Sequence, residues 1–351
     1  METDEKYMRR ALQLAALGAG SVSPNPMVGA VIVAGGRIIG EGYHRQFGEA
    51  HAEVNAVRSV AEADEPLLKE STIYVTLEPC SHYGKTPPCS KLLIEKDIPR
   101  IVVGCLDPFV KVSGRGVRML RDAGREVIVG VLEEECRKSN AHFMTAHSLH
   151  RPYVLLKWAE SADGFIAGKD GSPVRISTPT TSVLVHKLRS EYDAILVGAH
   201  TAVTDNPSLT TRLWPGRSPL RIVYGKETCL PSNSKLLTDE LPTLVFTNTR
   251  AAGKEGAVEY LPQHDFPTPD TLLAELYRRG ITSLMVEGGR TMLEWFYNAG
   301  AYDALRIERN PRLRLSEGVP SPSIRAEIMQ STRFKYIKEY TIDGNAFLIV
   351  K

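Results

Sequence analysis

Short apolar runs alternate with longer amphipathic stretches along almost the whole chain, and that alternation restricts it to layered α/β architectures. In the first part, strand-like runs at Thr72–Leu77, Arg100–Gly104 and Glu126–Leu132 are spaced by helix-like stretches at His51–Ala61, Cys89–Lys96 and Gly116–Ala123. Ahead of them, Tyr7, Met8, Ala11, Leu12, Leu14, Ala15 and Leu17 form one helical face that Gly18 and Gly20 stop. A hairpin follows, with Val28–Val33 and Arg37–Tyr43 around the Gly35-Gly36 turn.

A polar stretch at Ala146–Pro152 then interrupts the pattern, and a second series begins with the strand Tyr153–Ala159. It continues through a helix near Thr180–Arg189, strands at Ala194–Gly198, Leu220–Tyr224 and Thr243–Thr247, a helix at Thr271–Arg279, a strand at Ser283–Glu287 and a helix at Thr291–Asn298. Phe334–Tyr340 and Ala346–Val350 flank an Asp-Gly-Asn turn, so the chain should close with a β-hairpin on a mostly parallel sheet. We therefore expect two α/β domains, 1–146 and 147–351.

At 351 residues the chain is too long for one small core. Lys and Arg number 43 against 41 Asp and Glu, a formal charge of +2, so neither a nucleic-acid backbone nor an anionic membrane is an expected partner. Five cysteines, an odd number without a dense framework, suit a reducing, cytoplasmic compartment in which clustered cysteines hold metal. The acidic, helix-patterned N-terminus reads as neither a signal peptide nor a membrane span.

The strongest chemical signal is His51-Ala52-Glu53 opening a helix, followed by Pro79-Cys80 and Pro88-Cys89, each after a turn and ahead of a helical stretch. One His and two Cys make three zinc ligands, and three leave a fourth tetrahedral position for water, the catalytic arrangement. Helix N-termini also favour the thiolate form of cysteine. Glu53, two residues from His51, points away from the ligand side chain yet reaches the open position, so it reads as an acid/base. Zinc deaminases use this combination to remove an exocyclic amine as ammonia, and zinc lowers the pKa of a bound water to about 7. Eight residues, SHYGKTPP, separate Cys80 from Cys89, where nucleic-acid editors have two. The competing reading is a structural zinc closed by His44 or His82. Cys105 reads as a small core residue, and Cys136 and Cys229 as free thiols.

In the second part no G-x-G-x-x-G follows a strand. Instead VEGGRT at Val286–Thr291 takes a strand through a Gly pair into a helix, a turn whose backbone can approach a phosphate.

SPNPMVGAVIV at Ser23–Val33, GEGYH at Gly40–His44, HAE at His51–Glu53 and TLEPCSHYGKTPPC at Thr76–Cys89 together resemble the deaminase domain of the bifunctional riboflavin-biosynthesis deaminase/reductase family. The long insert between the cysteines belongs to that family's pattern and argues against a tRNA or cytidine deaminase. KWAESADG at Lys157–Gly164, ILVGAHTAVTDNPSLTTR at Ile195–Arg212 and VEGGRTML at Val286–Leu293 resemble its reductase domain. The resemblance implies a cytidine-deaminase-like α/β/α domain followed by a dihydrofolate-reductase-like α/β domain, with Zn2+ and NADPH as cofactors. It implies deamination of 2,5-diamino-6-(5-phosphoribosylamino)pyrimidin-4-one, then reduction of the ribosyl chain to ribityl, by a homo-oligomer.

On the same resemblance, His51, Cys80 and Cys89 hold zinc, Glu53 is catalytic, and Asn25, His44, His82 and Lys85 bind the pyrimidine, with Lys85 at the phosphate. Ala159, Arg175, Thr201, Asp205, Gly289, Arg290 and Thr291 line the NADPH site. Arg189, Leu209, Arg212 and Glu287 face the reductase substrate, the two arginines suiting its phosphate. No residue of this half is assigned as the acid or base: Lys157 is a candidate proton donor or phosphate contact, but a strand-end lysine is more often solvated. The chain departs from the family where it has Phe109 for Asn, Arg175 for Trp, Lys226 for Ser and ERNPRL for Ala-Pro after the Ala304 strand. The departures at Arg175 and Lys226 motivate an alternative, a deaminase whose second domain only binds or oligomerises.

Overall fold

Every residue of the strand Gly29–Ala34 (β1) is buried, because helices cover both faces of its sheet. Ala30, Ile32 and Ala34 pack with Ile73, Val75, Ile101 and Val103 against Ala52, Ala56, Leu93, Val117 and Leu120. The alternate residues Val31 and Val33, with Tyr74 and Val102, face Tyr7, Met8, Ala11, Leu14, Cys136 and Met144 instead. The period-two alternation of the strands thus builds two cores, one on each side of one sheet.

The computed structural model describes residues 2–83, 87–108, 114–226, 230–324 and 337–350. Two units are resolved, Met1–His150 and Arg151–Lys351. The first contains helices α1 (Glu2–Ala15), α2 (Ala52–Arg58), α3 (Cys89–Glu95), α4 (Arg115–Asp122), α5 (Glu133–Ser139) and α6 (Ala141–Leu149). Its other strands are β2 (Arg37–Tyr43), β3 (Thr72–Leu77), β4 (Arg100–Cys105) and β5 (Glu126–Val129), and the sheet order is β2-β1-β3-β4-β5. The β2-β1-β3 pairings are antiparallel and β3-β4-β5 are parallel.

The expected strand at Glu126–Leu132 stops at Val129 and is followed by α5 and α6, the second of which runs into the expected polar stretch at Ala146–Pro152. A boundary after residue 146 would cut α6, in which Met144 and Ala146 are buried. Phe143, Met144, Ala146 and Leu149 do not form one clean apolar stripe, so the helical period is weak there. Cys136 is a core residue of α5, and burial pushes the thiols of Cys105 and Cys136 up to about 12. Cys229 and Phe109 lie outside the described residues.

The second unit contains β6 (Tyr153–Ser161), β7 (Phe165–Ala167), α7 (Pro179–Glu191), β8 (Ala194–Gly198), α8 (Ala199–Asp205), β9 (Leu220–Tyr224), α9 (Lys235–Thr238), β10 (Thr243–Thr247), β11 (Gly253–Glu255) and β12 (Val258–Pro262). It continues with α10 (Pro269–Arg278), β13 (Ser283–Gly288), α11 (Arg290–Asn298), β14 (Ala304–Asn310), β15 (Val319–Pro320), β16 (Ile337–Ile342) and β17 (Asn345–Val350). Its main sheet runs β11-β12-β10-β9-β8-β13-β6-β14-β17-β16. The strands from β12 to β14 in that order are parallel, and the β16–β17 hairpin joins β14 antiparallel, as the terminal Asp-Gly-Asn turn predicts. Helices α7 and α10 start earlier than expected, because Thr178 and Thr268 cap them with Pro179 and Pro269 at the first helical position. Among the described residues no helix is long and apolar enough to cross a membrane.

Candidate active sites

His51 caps α2 and Cys89 opens α3, so two helix N-termini bring their first side chains together with Cys80. His51 Nδ1 lies 3.6 Å from Cys80 Sγ and 3.4 Å from Cys89 Sγ. A zinc tetrahedron with bonds of about 2.0–2.1 Å to nitrogen and 2.3 Å to sulfur has N···S edges of about 3.5 Å, so the three residues fit zinc. The Cys89 backbone N–H donates to Cys80 Sγ at 3.3 Å. Hydrogen bonding from the Cys89 side chain, then from His51, pulls the Cys80 thiol down to about 4, while the same bond raises the Cys89 thiol. The hydrogen bond to Cys80 lifts His51 to about 9. Among the described residues, these three form the one cluster of metal-ligating side chains.

A cavity of ≈ 310 Å³ opens beside the cluster, lined by Glu53, Asn25, His44 and His82 among others. Glu53 is 3% exposed, and burial pushes its carboxyl up to about 7. His44 does not complete a fourth ligand position. Its Nδ1 faces Ala50 O at 3.1 Å and its Nε2 faces Asn25 Nδ2 at 3.1 Å, so both ring nitrogens are engaged and the imidazole fixes the Asn25 amide. His82 is exposed on the same cavity, and Lys85 lies outside the described residues. Phe143 and His147 of α6 also line it, with ring centroids 4.4 Å apart.

Glu78, missed from sequence, sits two residues before Cys80 and is buried. Its carboxyl accepts the backbone N–H groups of Gly114 and Gly116 at 2.9 Å, of Val117 at 3.2 Å and of Asp107 at 3.4 Å. This ties the Cys80 turn to the N-terminus of α4, and a Cβ on Gly116 would come within 2.0 Å of Pro79 O. Glu78→Gln removes an acceptor oxygen from a site that serves four donors. We expect a loss of about 2 kcal/mol or more, from buried N–H groups left without acceptors. Denaturant unfolding would measure it, together with a fall in zinc bound per chain, and a variant with wild-type stability and zinc content would refute this role.

In the second unit, Glu287 at the end of β13 is held between two cations. Lys157 Nζ lies 3.3 Å from Oε1, and Arg189 reaches Oε2 from Nη2 at 2.6 Å and from Nε at 3.2 Å. Burial raises the Glu287 carboxyl, but the charges of Arg189 and Lys157 outweigh it and hold the pKa below its ordinary value. Lys157 is not solvated: its side chain is 10% exposed. His186, also missed from sequence, accepts the Arg212 backbone N–H on Nδ1 at 3.1 Å. Burial, then Arg189 and Arg212, push its imidazole down to about 4, so it is neutral at pH 7.

These residues belong to two cavities that share Lys157, Arg175, Ser177, Ser182, Arg189 and Glu287. The smaller, ≈ 600 Å³, adds His186 and Arg212. The larger, ≈ 930 Å³, is lined by all seven residues expected at NADPH, namely Ala159, Arg175, Thr201, Asp205, Gly289, Arg290 and Thr291, and by Leu209. It lies at the carboxyl ends of β6, β8, β9 and β13, where open parallel sheets bind ligands. Gly289 has φ 74°, and a Cβ there would come within 2.9 Å of Thr201 Oγ1, so only glycine keeps this turn open. The cavity and its Gly-Gly helix start fit a phosphate-bearing dinucleotide.

Two family models match the chain: the cytidine and deoxycytidylate deaminase zinc-binding region over residues 1–105, and the RibD C-terminal domain over residues 152–315. The riboflavin biosynthesis protein RibD of Aquifex aeolicus is 42% identical over 324 residues, covering 91% of this chain and 89% of the relative. A crystal structure of a diaminohydroxyphosphoribosylaminopyrimidine deaminase/5-amino-6-(5-phosphoribosylamino)uracil reductase from Thermotoga maritima superposes with a TM-score of 0.90 at 37% identity, covering 100% of this chain and 99% of that one. RibD from Acinetobacter baumannii gives a TM-score of 0.88 at 32% identity, covering 99% and 98%.

Proposed function

Since the chain belongs to the RibD family of bifunctional riboflavin-biosynthesis enzymes and is a zinc-dependent deaminase and an NADPH-dependent reductase, we propose how its residues divide the two reactions. One observation carries the first assignment: three zinc-spaced ligand atoms cluster beside one small cavity, which His51, Cys80 and the buried acid Glu53 line. Zinc supplies a Lewis acid that makes water nucleophilic near neutral pH. Glu53 carries the protons, taking one from water and delivering it to the exocyclic nitrogen, which leaves as ammonia. Asn25, oriented by His44, hydrogen-bonds the pyrimidine, and His82 lies on the rim towards the sugar.

In the second unit the residues of the larger cavity would hold NADPH, which would supply a hydride for the ring-opened ribosyl carbon. Arg189 and Arg212 hold the substrate phosphate in the smaller cavity, with the guanidinium fork suited to bidentate contact. Lys157 stands where the cavities join, paired to Glu287, and its Nζ is the proton donor in this reading. Glu287, shared by both cavities, and Leu209, on the larger one, face the substrate from the junction side. The alternative of an inert second domain loses its motivation, because Arg175 and Lys226 line the cavity without closing it. Cysteine usage supports a cytoplasmic enzyme, and the family resemblance supports a homo-oligomer.

Ammonia release and NADPH oxidation on one sample test the division. Stripping zinc with a chelator should abolish ammonia release from the diaminopyrimidine and leave NADPH oxidation by the deaminated aminouracil substrate unchanged. Ammonia release that survives in zinc-free protein would overturn the first assignment.

A further inference from the structure

We propose that Lys226 selects NADPH over NADH by meeting the 2′-phosphate that only NADPH carries; this rests on reading the larger cavity as the cofactor site. Five cations line that cavity: Lys157, Arg175, Arg189, Lys226 and Arg290. Lys157 and Arg189 are paired to Glu287, and Arg290 to Glu294 at 2.8 Å. Arg175 and Lys226 make no ion pair among the described residues. Of these two, Arg175 also lines the smaller cavity and belongs to the junction, whereas Lys226 lines the larger one alone.

Strand order places Lys226 at the correct end. It follows β9, and the order β9-β8-β13-β6 puts it three strand spacings, about 14 Å, from the β6 strand that carries Lys157 and Ala159. The nicotinamide must lie at the β6 end, because there the cavity meets the one that holds the hydride acceptor. The Gly288-Gly289 turn and the α11 N-terminus, at the end of the intervening β13, suit the diphosphate. A dinucleotide laid across these points carries its adenosine ribose to β9. Beside Lys226 stand Tyr224 and Trp295, stacked with centroids 4.8 Å apart, an apolar wall for the adenine end. A phosphate monoester bears close to two negative charges at pH 7. The carboxyls lining the cavity are Glu287, already paired, and Asp205, whose pKa burial raises. An ammonium on a flexible stem, exposed at the cavity edge, matches that charge as a point contact.

The test is the affinity of the full-length protein for NADP+ and for NAD+, measured by titration calorimetry. Wild type should prefer NADP+. Lys226→Ala should weaken NADP+ binding by about tenfold to a hundredfold, the range of a charge-assisted hydrogen bond, leave NAD+ affinity unchanged and reduce the salt dependence of NADP+ binding. Lys226→Arg should restore most of the preference. An alanine variant that binds NADP+ as tightly as wild type overturns the proposal, as does one that loses both dinucleotides equally. If wild type binds neither, the reading of the cavity as a cofactor site fails instead.

Discussion

Glu53→Gln is expected to lower ammonia release by about 10²–10⁴-fold, the contribution of a positioned general acid/base, while leaving zinc bound. Gln keeps the shape and one acceptor but cannot carry a proton. The three ligand atoms are unchanged, so metal analysis should still find one zinc per chain. NADPH oxidation supplied with the deaminated substrate should match wild type, because no residue of that cavity is altered. Glu53 is also a carboxyl with 3% exposure and a pKa raised by burial to about 7. Replacing it with a neutral isostere removes a desolvation cost, so the deaminase unit of the variant should resist denaturant at least as well as wild type. Lost activity with unchanged or improved stability is the signature of a catalytic group; lost activity with lost zinc and stability would mark Glu53 as structural.

The zinc site was legible because its parts are local. His51 and Cys89 stand at helix starts, so residue type and position agreed there before any tertiary contact was known, whereas Cys80 lies in the irregular chain after β3 and opens no helix among the described residues. Glu78 was not legible, since its partners Gly114, Gly116 and Val117 are reached only when β3 and α4 are brought together. His147 and Phe143 were hidden by the weak helical period of α6. His186 reads from sequence as one polar position on a helix, and its neutral state is set by Arg212, from another loop. The reductase cavity has the same character on a larger scale. The ends of β6, β8, β9 and β13 converge only in the folded sheet, so Thr201, Asp205 and Arg290 were found through family resemblance and not through spacing. Helix starts at Pro179 and Pro269 were misplaced by one or two positions, though the Thr-Pro caps that fix them are in the sequence.

Glu287 should give the largest effect in the second unit, because one carboxylate serves two cations. The side chains of Lys157, Arg189 and Glu287 are 10%, 13% and 7% exposed. Removing one member of such a buried group strands the remaining charges, at a cost of about 3–5 kcal/mol. Glu287→Ala should therefore lower the stability of the reductase unit by that amount and reduce NADPH oxidation at least a hundredfold, with ammonia release retained. Acid should act in the same direction on wild type. The folded-state pKa of Glu287 lies below the ordinary carboxylate value, so the stability it contributes is present above that value and is lost as pH falls through the folded pKa. The Ala variant should lack this part of the acid sensitivity. A second substitution separates the counter-ion from the chemistry. Lys157→Met added to Glu287→Ala removes one stranded charge and should recover part of the lost stability. Turnover should not recover, since the double variant lacks both the proposed proton donor and the carboxylate that holds it. If stability and NADPH oxidation recover together, Lys157 and Glu287 form a structural pair and the proton donor lies elsewhere in the junction of the two cavities.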